Sequence, residues 1–422
     1  MFEMQKTDKT GKSFDHMLRD YARLSLVAGL GLPIKKPRPI FVTAEIDEEV
    51  ALYVSILAEE AYKIGVPLVD VYYEDPRVQR AKFLFGPEET RLLTPGYMSR
   101  RAEEAVFQEA ARFTIYSSAE LHVYDDVDPK YPTAWRSKKH AAEDVWTKRL
   151  ISGKQPWNVV VVPSANWAAE LGMSTSELWT HLFSITGANQ TDPIGYFQLV
   201  TKKLEKRRRQ LDALQIKSLH FVGDETNLFI GLSPKARWMG GGRTAEDGTV
   251  FVPNWPTYEV YTTPDCYTVG GFVKTTKPFM VDGTVVSGLR LTFERGRIVE
   301  MSAESGLSAY QAKTAYDAGA NQVGEVALVG LDSRVARSGM LFKHTLPDEN
   351  AACHIATGRA YTMALAGGPE MQKAELAALG CNVSDTHEDM MISDQHTDVW
   401  ANLWEGSRVQ LIKQGYWTND FQ

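Results

Sequence analysis

The sequence predicts an α/β protein in two parts: an N-terminal α/β domain with a mostly parallel sheet, and a C-terminal mixed α+β domain. Three observations predict it. Short apolar runs alternate with helical periodicity through the first half, as βαβ units do. One run, Asn158 to Pro163 (NVVVVP), is apolar almost throughout, which suits a strand covered on both faces. Near Ile216 the texture changes to alternating runs punctuated by glycine and proline, which sets the domains at residues 1–216 and 217–422. A chain of 422 residues also exceeds what one core usually organises.

The elements follow in order. Leu18 to Leu32 reads as a helix stopped by Gly29 and Gly31, and Pro39 to Ala44 (PIFVTA) as a short strand. Glu48 to Lys63 repeats Leu52, Ile56, Ala58 and Tyr62 at helical spacing, with Gly65 as its stop. Val66 to Tyr73 is the next strand; a helix near Arg100 to Arg112 and a strand from Phe113 to Tyr116 come after it. Ser174 and Glu177 have capping-box spacing and open a helix carrying Leu178, Trp179 and Phe183. Pro193 to Leu214 reads as one long helix. Past Ile216, Leu219 to Leu232, Thr284 to Glu294 and Arg297 to Met301 read as strands. Helices are expected at Ala309 to Ala318 and from Glu349 onward, the latter with Asp348 as N-cap.

Composition narrows the function classes. With 46 basic and 53 acidic residues the net charge is -7, which gives no electrostatic reason to expect nucleic acid or an anionic membrane as partner. The basic run Lys202 to Arg209 falls in a helical pattern and reads as a solvated helix face. The stretch MGGGR at 239–243 lacks the preceding strand and following helix of a phosphate loop, and reads as a turn. Cys266, Cys353 and Cys381 have no paired spacing, so reduced thiols in a cytoplasmic protein are expected. The first fourteen residues lack the apolar core of a signal peptide, and no apolar run approaches the roughly 18 residues of a spanning helix.

The chemistry concentrates between Leu346 and Met391. His387 and Asp389 stand two apart in a strand-like segment, so they share a face and can offer an imidazole and a carboxylate to one point. Taken alone, an H-x-D pair is more often plain surface. On a helix from Glu349, His354 and Tyr361 are seven residues apart, about 700° of rotation, and share a face. A histidine packed beside a tyrosine in the core fits the same spacing. Glu259 follows a proline-rich turn, and Glu325 interrupts the apolar run VGEVALVG. A carboxylate buried there needs a cation, either a metal or an arginine. Two histidines and three carboxylates, without thiolates, suit one or two divalent ions such as Zn, Co, Mn or Mg.

Four ordered blocks carry a resemblance: PNWPTYEVYTTP (253–264), GEVALV (324–329), LFKHTLPDENAACHIATGRAY (341–361) and the H-x-D pair at His387. Together they resemble the M29 family of metallo-aminopeptidases. Weaker likeness continues through the Tyr21-Ala22 helix and the Ala61-Tyr62 to Asp75 unit, so that it covers nearly the whole chain. The resemblance implies that Glu259, Glu325, His354, His387 and Asp389 ligate two divalent ions. It places Tyr361 at the reaction centre and implies a homodimer that hydrolyses the amide bond at a peptide N-terminus or in a related small amide. On that expectation Tyr361 donates a hydrogen bond to the developing oxyanion, and Glu325 shuttles a proton.

The chain departs from the family pattern at several positions. Tyr258 stands where a second glutamate is common, His344 where asparagine is usual, and Asn227 in place of an aspartate. Glu388 and Met390 flank Asp389 where an apolar residue and an aromatic are common, and Gly330 and Arg334 replace frequent prolines. One alternative is a mononuclear non-haem Fe(II) ring-cleaving dioxygenase of the dihydroxypyridine type, built on His354, His387 and Asp389. Retention of Glu259 and Glu325 argues against it. A non-catalytic binding protein is the third reading, opposed by the intact ligand set.

Overall fold

The computed structural model describes residues 11–32, 37–120, 122–128 and 130–422. Most of the polar N-terminal stretch therefore lies outside the described residues. The chain divides into two compact units, one running to Gln198 and joined by Gly242–Trp255, the other comprising Leu199–Gly241 and Pro256–Gln422. Among the described residues, no helix is long and apolar enough to cross a membrane.

The first unit is built on a parallel sheet. Strands β1 (Ile40–Glu45), β2 (Val69–Glu74), β3 (Ala111–Tyr116) and β4 (Trp157–Val161) lie in the order β2-β1-β3-β4. The two-residue strand Asn254–Trp255 adds to β4, also in parallel. It is drawn there by Val159, whose N–H donates to Pro253 O at 2.7 Å, and by the Asn158 amide, which donates to Val252 O at 2.7 Å. The apolar run that suggested a doubly covered strand is buried as expected, with Val160 and Val161 inaccessible.

The helices follow their local signals. The first helix, α1 (Phe14–Arg23), passes into a π-helical turn at Leu24–Gly29, so the expected single helix is one continuous but widened coil. Helix α2 (Glu48–Lys63) starts at the Asp47 cap and ends ahead of Gly65. The capping box at Ser174 and Glu177 forms, opening α3 (Thr175–Thr186), whose Trp179 and Phe183 pack against Tyr21. The helix expected at Arg100–Arg112 runs instead over Gly96–Phe107, and β3 starts at Ala111.

Helix α4 (Pro193–Ala213) belongs to the first unit up to Gln198 and to the second from Leu199. Its basic run is not uniformly solvated. Arg207 is buried, lies 4.6 Å from the Trp417 ring centroid and donates to Phe421 O at 2.6 Å. Its guanidinium ties the C-terminal residues to α4, a role invisible in the charge pattern.

The second unit contains two principal antiparallel sheets. Its strands are β5 (Ile216–Gly223), β6 (Thr226–Gly231), β7 (Val260–Thr262), β8 (Gly270–Lys274), β9 (Arg290–Glu294) and β10 (Arg297–Ser302). They continue with β11 (Val323–Leu328), β12 (His354–Gly358), β13 (His387–Met391), β14 (Asp398–Leu403), β15 (Arg408–Lys413) and β16 (Tyr416–Trp417). The larger sheet runs β10-β9-β8-β6-β5-β14-β15-β16, and the smaller runs β7-β11-β12-β13. One apolar core joins them, with Leu219, Phe221, Leu228 and Val399 from the larger sheet and Val260, Val326, Ile355 and Met390 from the smaller. Helix α5 (Leu307–Thr314) enters the same core through Tyr310.

One expectation fails where it matters for the site. No helix carries His354 and Tyr361. A four-residue helix spans Thr345–Asp348, a 3-10 turn spans Glu349–Ala351, and His354 opens strand β12. Asp348 is no N-cap. Its carboxylate accepts from the N–H groups of Phe342 and His344 at 2.8 and 3.1 Å. The cap is His344, whose Nδ1 accepts from Leu346 N at 3.2 Å. Ile355 and Thr357 are β-branched and fit a strand between two others better than a helix.

Candidate metal centre

Strand alternation and register assemble the site on one face of the smaller sheet. Glu325 pairs with Ala356, and Ala356 pairs with Asp389, so the three share a face across β11, β12 and β13. His354 lies two residues before Ala356, and His387 two before Asp389, so both imidazoles join that face. Tyr261 on β7 pairs with Ala327, which itself pairs with His354. Glu259, two residues before Tyr261, extends the same face. The space between the five side chains is kept open because the intervening face positions are Ala327, Ala356 and Gly358. A register shift at Gly324 re-aims Glu325; a Cβ there would lie 2.2 Å from Gly358 O, so the close strand approach requires glycine.

The side chains converge without satisfying one another. His354 Nε2 lies 3.3 Å from Glu259 Oε2, and His387 Nε2 lies 3.3 Å from both Glu325 Oε2 and Asp389 Oδ1. Yet Glu259 Oε2 and His387 Nε2 are buried with no hydrogen-bond partner of proper geometry. Atoms that crowd a common point without bonding each other suit a cation at that point. Two groups of donor atoms, each within 4.8 Å of one another, can be drawn: Glu259, Glu325 and His354; and Glu325, His387 and Asp389. Glu325 belongs to both. His387 Nδ1 lies 2.7 Å from Arg359 O, which fixes the ring and presents Nε2 to the site.

Electrostatics agree with a cation-binding role. Burial, reinforced by Asp389 and Glu259 against the opposing pull of His387, pushes Glu325 up to about 7. Burial disfavours the charged form of His354, but Glu259, Asp389 and Glu325 outweigh it and raise the ring to about 9. Asp389 resists its own burial because the His387 and His354 cations hold it below the usual carboxylate range. Glu325 and His354 thus hold protons that a divalent ion would displace, while Asp389 stays ionised.

Tyr361 reaches the site from the loop after β12, not from a helix. Its ring centroid lies 4.9 Å from that of His387 and 5.7 Å from that of Tyr261. Burial, with Glu325 and Asp389 nearby, holds its hydroxyl well above the ordinary value, so it stays a donor.

One carboxylate went unnoticed in the sequence. Glu349 has a buried Oε1 without a hydrogen-bond partner, and burial together with Glu259, Asp389 and Glu325 raises its proton affinity strongly. The neighbouring Asn350 ties its segment to that of Glu259. The Asn350 Oδ1 accepts from Tyr258 N at 2.6 Å, and its Nδ2 donates to Pro256 O at 3.3 Å. The only signal in the sequence is the acidic pair in LPDEN, which a helix start explains equally well.

The departures from the family pattern leave the five-residue face intact. Met390 points into the core, and Glu388 faces away from the site and pairs with Lys313 at 2.7 Å. Asn227 bonds His220 on the larger sheet at 2.7 Å. Gly330 is hemmed in, since a Cβ there would lie 2.3 Å from Asp332 Oδ1 and 2.6 Å from the Trp417 ring.

Fold and site together define a class: an α/β protein with a cluster of carboxylates and imidazoles, able to hold a metal ion, on one face of an antiparallel sheet. Known proteins narrow the class to a family. The sequence profile described as thermophilic metalloprotease (M29) matches residues 14–417, and the chain belongs to that family. It is 32% identical over 411 residues to aminopeptidase AmpS of Bacillus subtilis, covering 96% of this chain and 99% of that one. Aminopeptidase T of Thermus thermophilus matches at 32% over the same shares of each chain. The solved structure of wild-type AmpT from Thermus thermophilus superposes with a TM-score of 0.86 at 31% identity, covering 96% of this chain and 100% of that one. The chain is therefore an enzyme, a metal-dependent hydrolase with a two-part α/β architecture.

Proposed function

We propose that the chain is an aminopeptidase that holds two divalent ions and cleaves the amide bond at a peptide N-terminus or in a related small amide. The observation that carries the two-ion reading is the place of Glu325 in both ligand groups, where one carboxylate can bridge two cations. Glu259 and His354 would join Glu325 in holding one ion, and His387 and Asp389 would join it in holding the other. The substrate class follows the relatives, which are named as aminopeptidases. Zn, Co, Mn or Mg suits the oxygen-rich donor set.

When bound, such ions supply an acidified water and polarise the scissile carbonyl. The chain's own groups do the rest. Tyr361, held protonated, donates a hydrogen bond to the carbonyl oxygen as negative charge builds on it. Glu349 takes the proton from the attacking water and returns it to the departing amine. Glu325, which stands in both ligand groups, would be occupied in holding the ions, so the proton passes to Glu349, whose buried Oε1 has no hydrogen-bond partner. Three buried free cysteines accord with a reducing, cytoplasmic setting, and a homodimer is the assembly the family resemblance leads us to expect.

The test is hydrolysis of aminoacyl amides and short peptides by protein reconstituted with each metal, with metal counted per chain. Activity that needs two ions per chain supports the proposal. A single iron with oxygen uptake on a dihydroxypyridine would replace it with the dioxygenase reading, which needs only His354, His387 and Asp389.

A further inference from the structure

Strand β13 supplies two of the five candidate ligands, yet it is the edge strand of its sheet, with β12 as its neighbour. An edge strand is restrained by a backbone ladder on one side only. Something else must fix its height and twist if His387 and Asp389 are to converge with Glu325. The structure places a brace directly behind them.

Thr357 on β12 and Glu388 on β13 are cross-strand partners. Each sits between ligand-face positions in sequence, so both project from the opposite face. Helix α5 meets both. Tyr310 Oη lies 3.2 Å from Thr357 Oγ1, and Lys313 Nζ lies 2.7 Å from Glu388 Oε1. Three residues apart, Tyr310 and Lys313 share one helix face. Lys313 is itself steadied by Asp282 at 3.0 Å, in the turn between the short strands Phe279–Val281 and Thr284–Val286. The Lys313 and Glu388 side chains are only 16% and 15% exposed, so the pair is largely desolvated. Such a pair adds little net stability over an apolar contact, but it fixes geometry, and either partner alone is left with an uncompensated charge.

We infer that Lys313 and Glu388 are positioning residues for the metal centre: through α5 they hold β13 so that the residues flanking Glu388, His387 and Asp389, meet Glu325. The inference rests on the metal-binding reading above. Outer groups that orient ligands characteristically change metal affinity about 10–100-fold when removed.

The test uses the full chain with Co(II) as probe, in wild type and in Glu388→Gln, Lys313→Met and Lys313→Arg. Chelator-competed Co(II) affinity, the Co(II) absorption spectrum and the melting temperature of the metal-free protein are read together. The expected result is about a tenfold or greater loss of Co(II) affinity and an altered spectrum in Glu388→Gln and Lys313→Met. Lys313→Arg, which keeps the ion pair, should restore both to within about threefold of wild type. Wild-type affinity and spectrum in both Glu388→Gln and Lys313→Met overturn the inference, even if the metal-free melting temperature falls. Should Lys313→Met fail to fold, Glu388→Gln decides alone. Wild type that takes up no Co(II) overturns the metal-binding reading itself, and the inference with it.

Discussion

Glu325 and His387 meet at 3.3 Å although their strands are not neighbours: β12 lies between them. The contact exists because β12 offers only Ala356 and Gly358 to the face at that level. Small residues in the middle strand are therefore part of the site. Ala356→Val should crowd the ligands, at a cost of about 1–3 kcal/mol in a packed interior. Metal content measured after dialysis should drop while circular dichroism stays native.

The two ligand groups make separable forecasts. Glu259→Gln should weaken one ion and Asp389→Asn the other, each leaving about one ion per chain by elemental analysis. Glu325→Gln should weaken both. Each variant should lose aminoacyl-amide hydrolysis by about a thousandfold, on the scale seen when ligands or electrostatic donors are removed. Full activity in any of them contradicts the ligand assignment.

Glu349 is expected to move protons rather than hold metal. Glu349→Gln should keep both ions and a near-native KM but lower kcat by about 10²–10⁴-fold. Loss of metal from this variant would move Glu349 into the ligand set instead.

Acidity gives a signed prediction. In the metal-free protein His354 is raised from 6.5 to about 9, so its stabilising contribution is complete below about 6.5 and is lost as pH rises through 9. Glu325, raised from 4.5 to about 7, acts in the same direction over a lower window. Metal binding displaces these protons, so affinity should rise with pH. Melting curves with chelator and with Co(II) should therefore diverge increasingly between pH 6 and 9. A gap that shrinks over that range contradicts the assignment.

Much of the fold was legible because local signals and tertiary context agree. The capping box at Ser174, the buried run at Asn158 and the long helix from Pro193 all form as their patterns predict. The site was legible as a set of residues but not as a geometry. His354 and Tyr361 at helical spacing proved to sit on a strand and its following loop. Asp348, a good cap by type, is instead occupied by the N–H groups of Phe342 and His344. Glu349 was hidden for the same reason, since a helix start accounts for an acidic residue without invoking chemistry. Arg207 was misread because a charge run says nothing about which member meets Trp417. For His354 the cross-strand partners on β11 and β13, and for Arg207 the ring of Trp417, overrode a local preference.

Glu325, common to both ligand groups, would serve two ions at once. The most direct measurement is metal per chain against hydrolysis of an aminoacyl amide, titrated from the chelated protein with Co(II) or Zn(II). Activity that rises to a plateau at two ions per chain is the expected result. A plateau at one ion per chain, with Glu259→Gln as active as wild type, would contradict it.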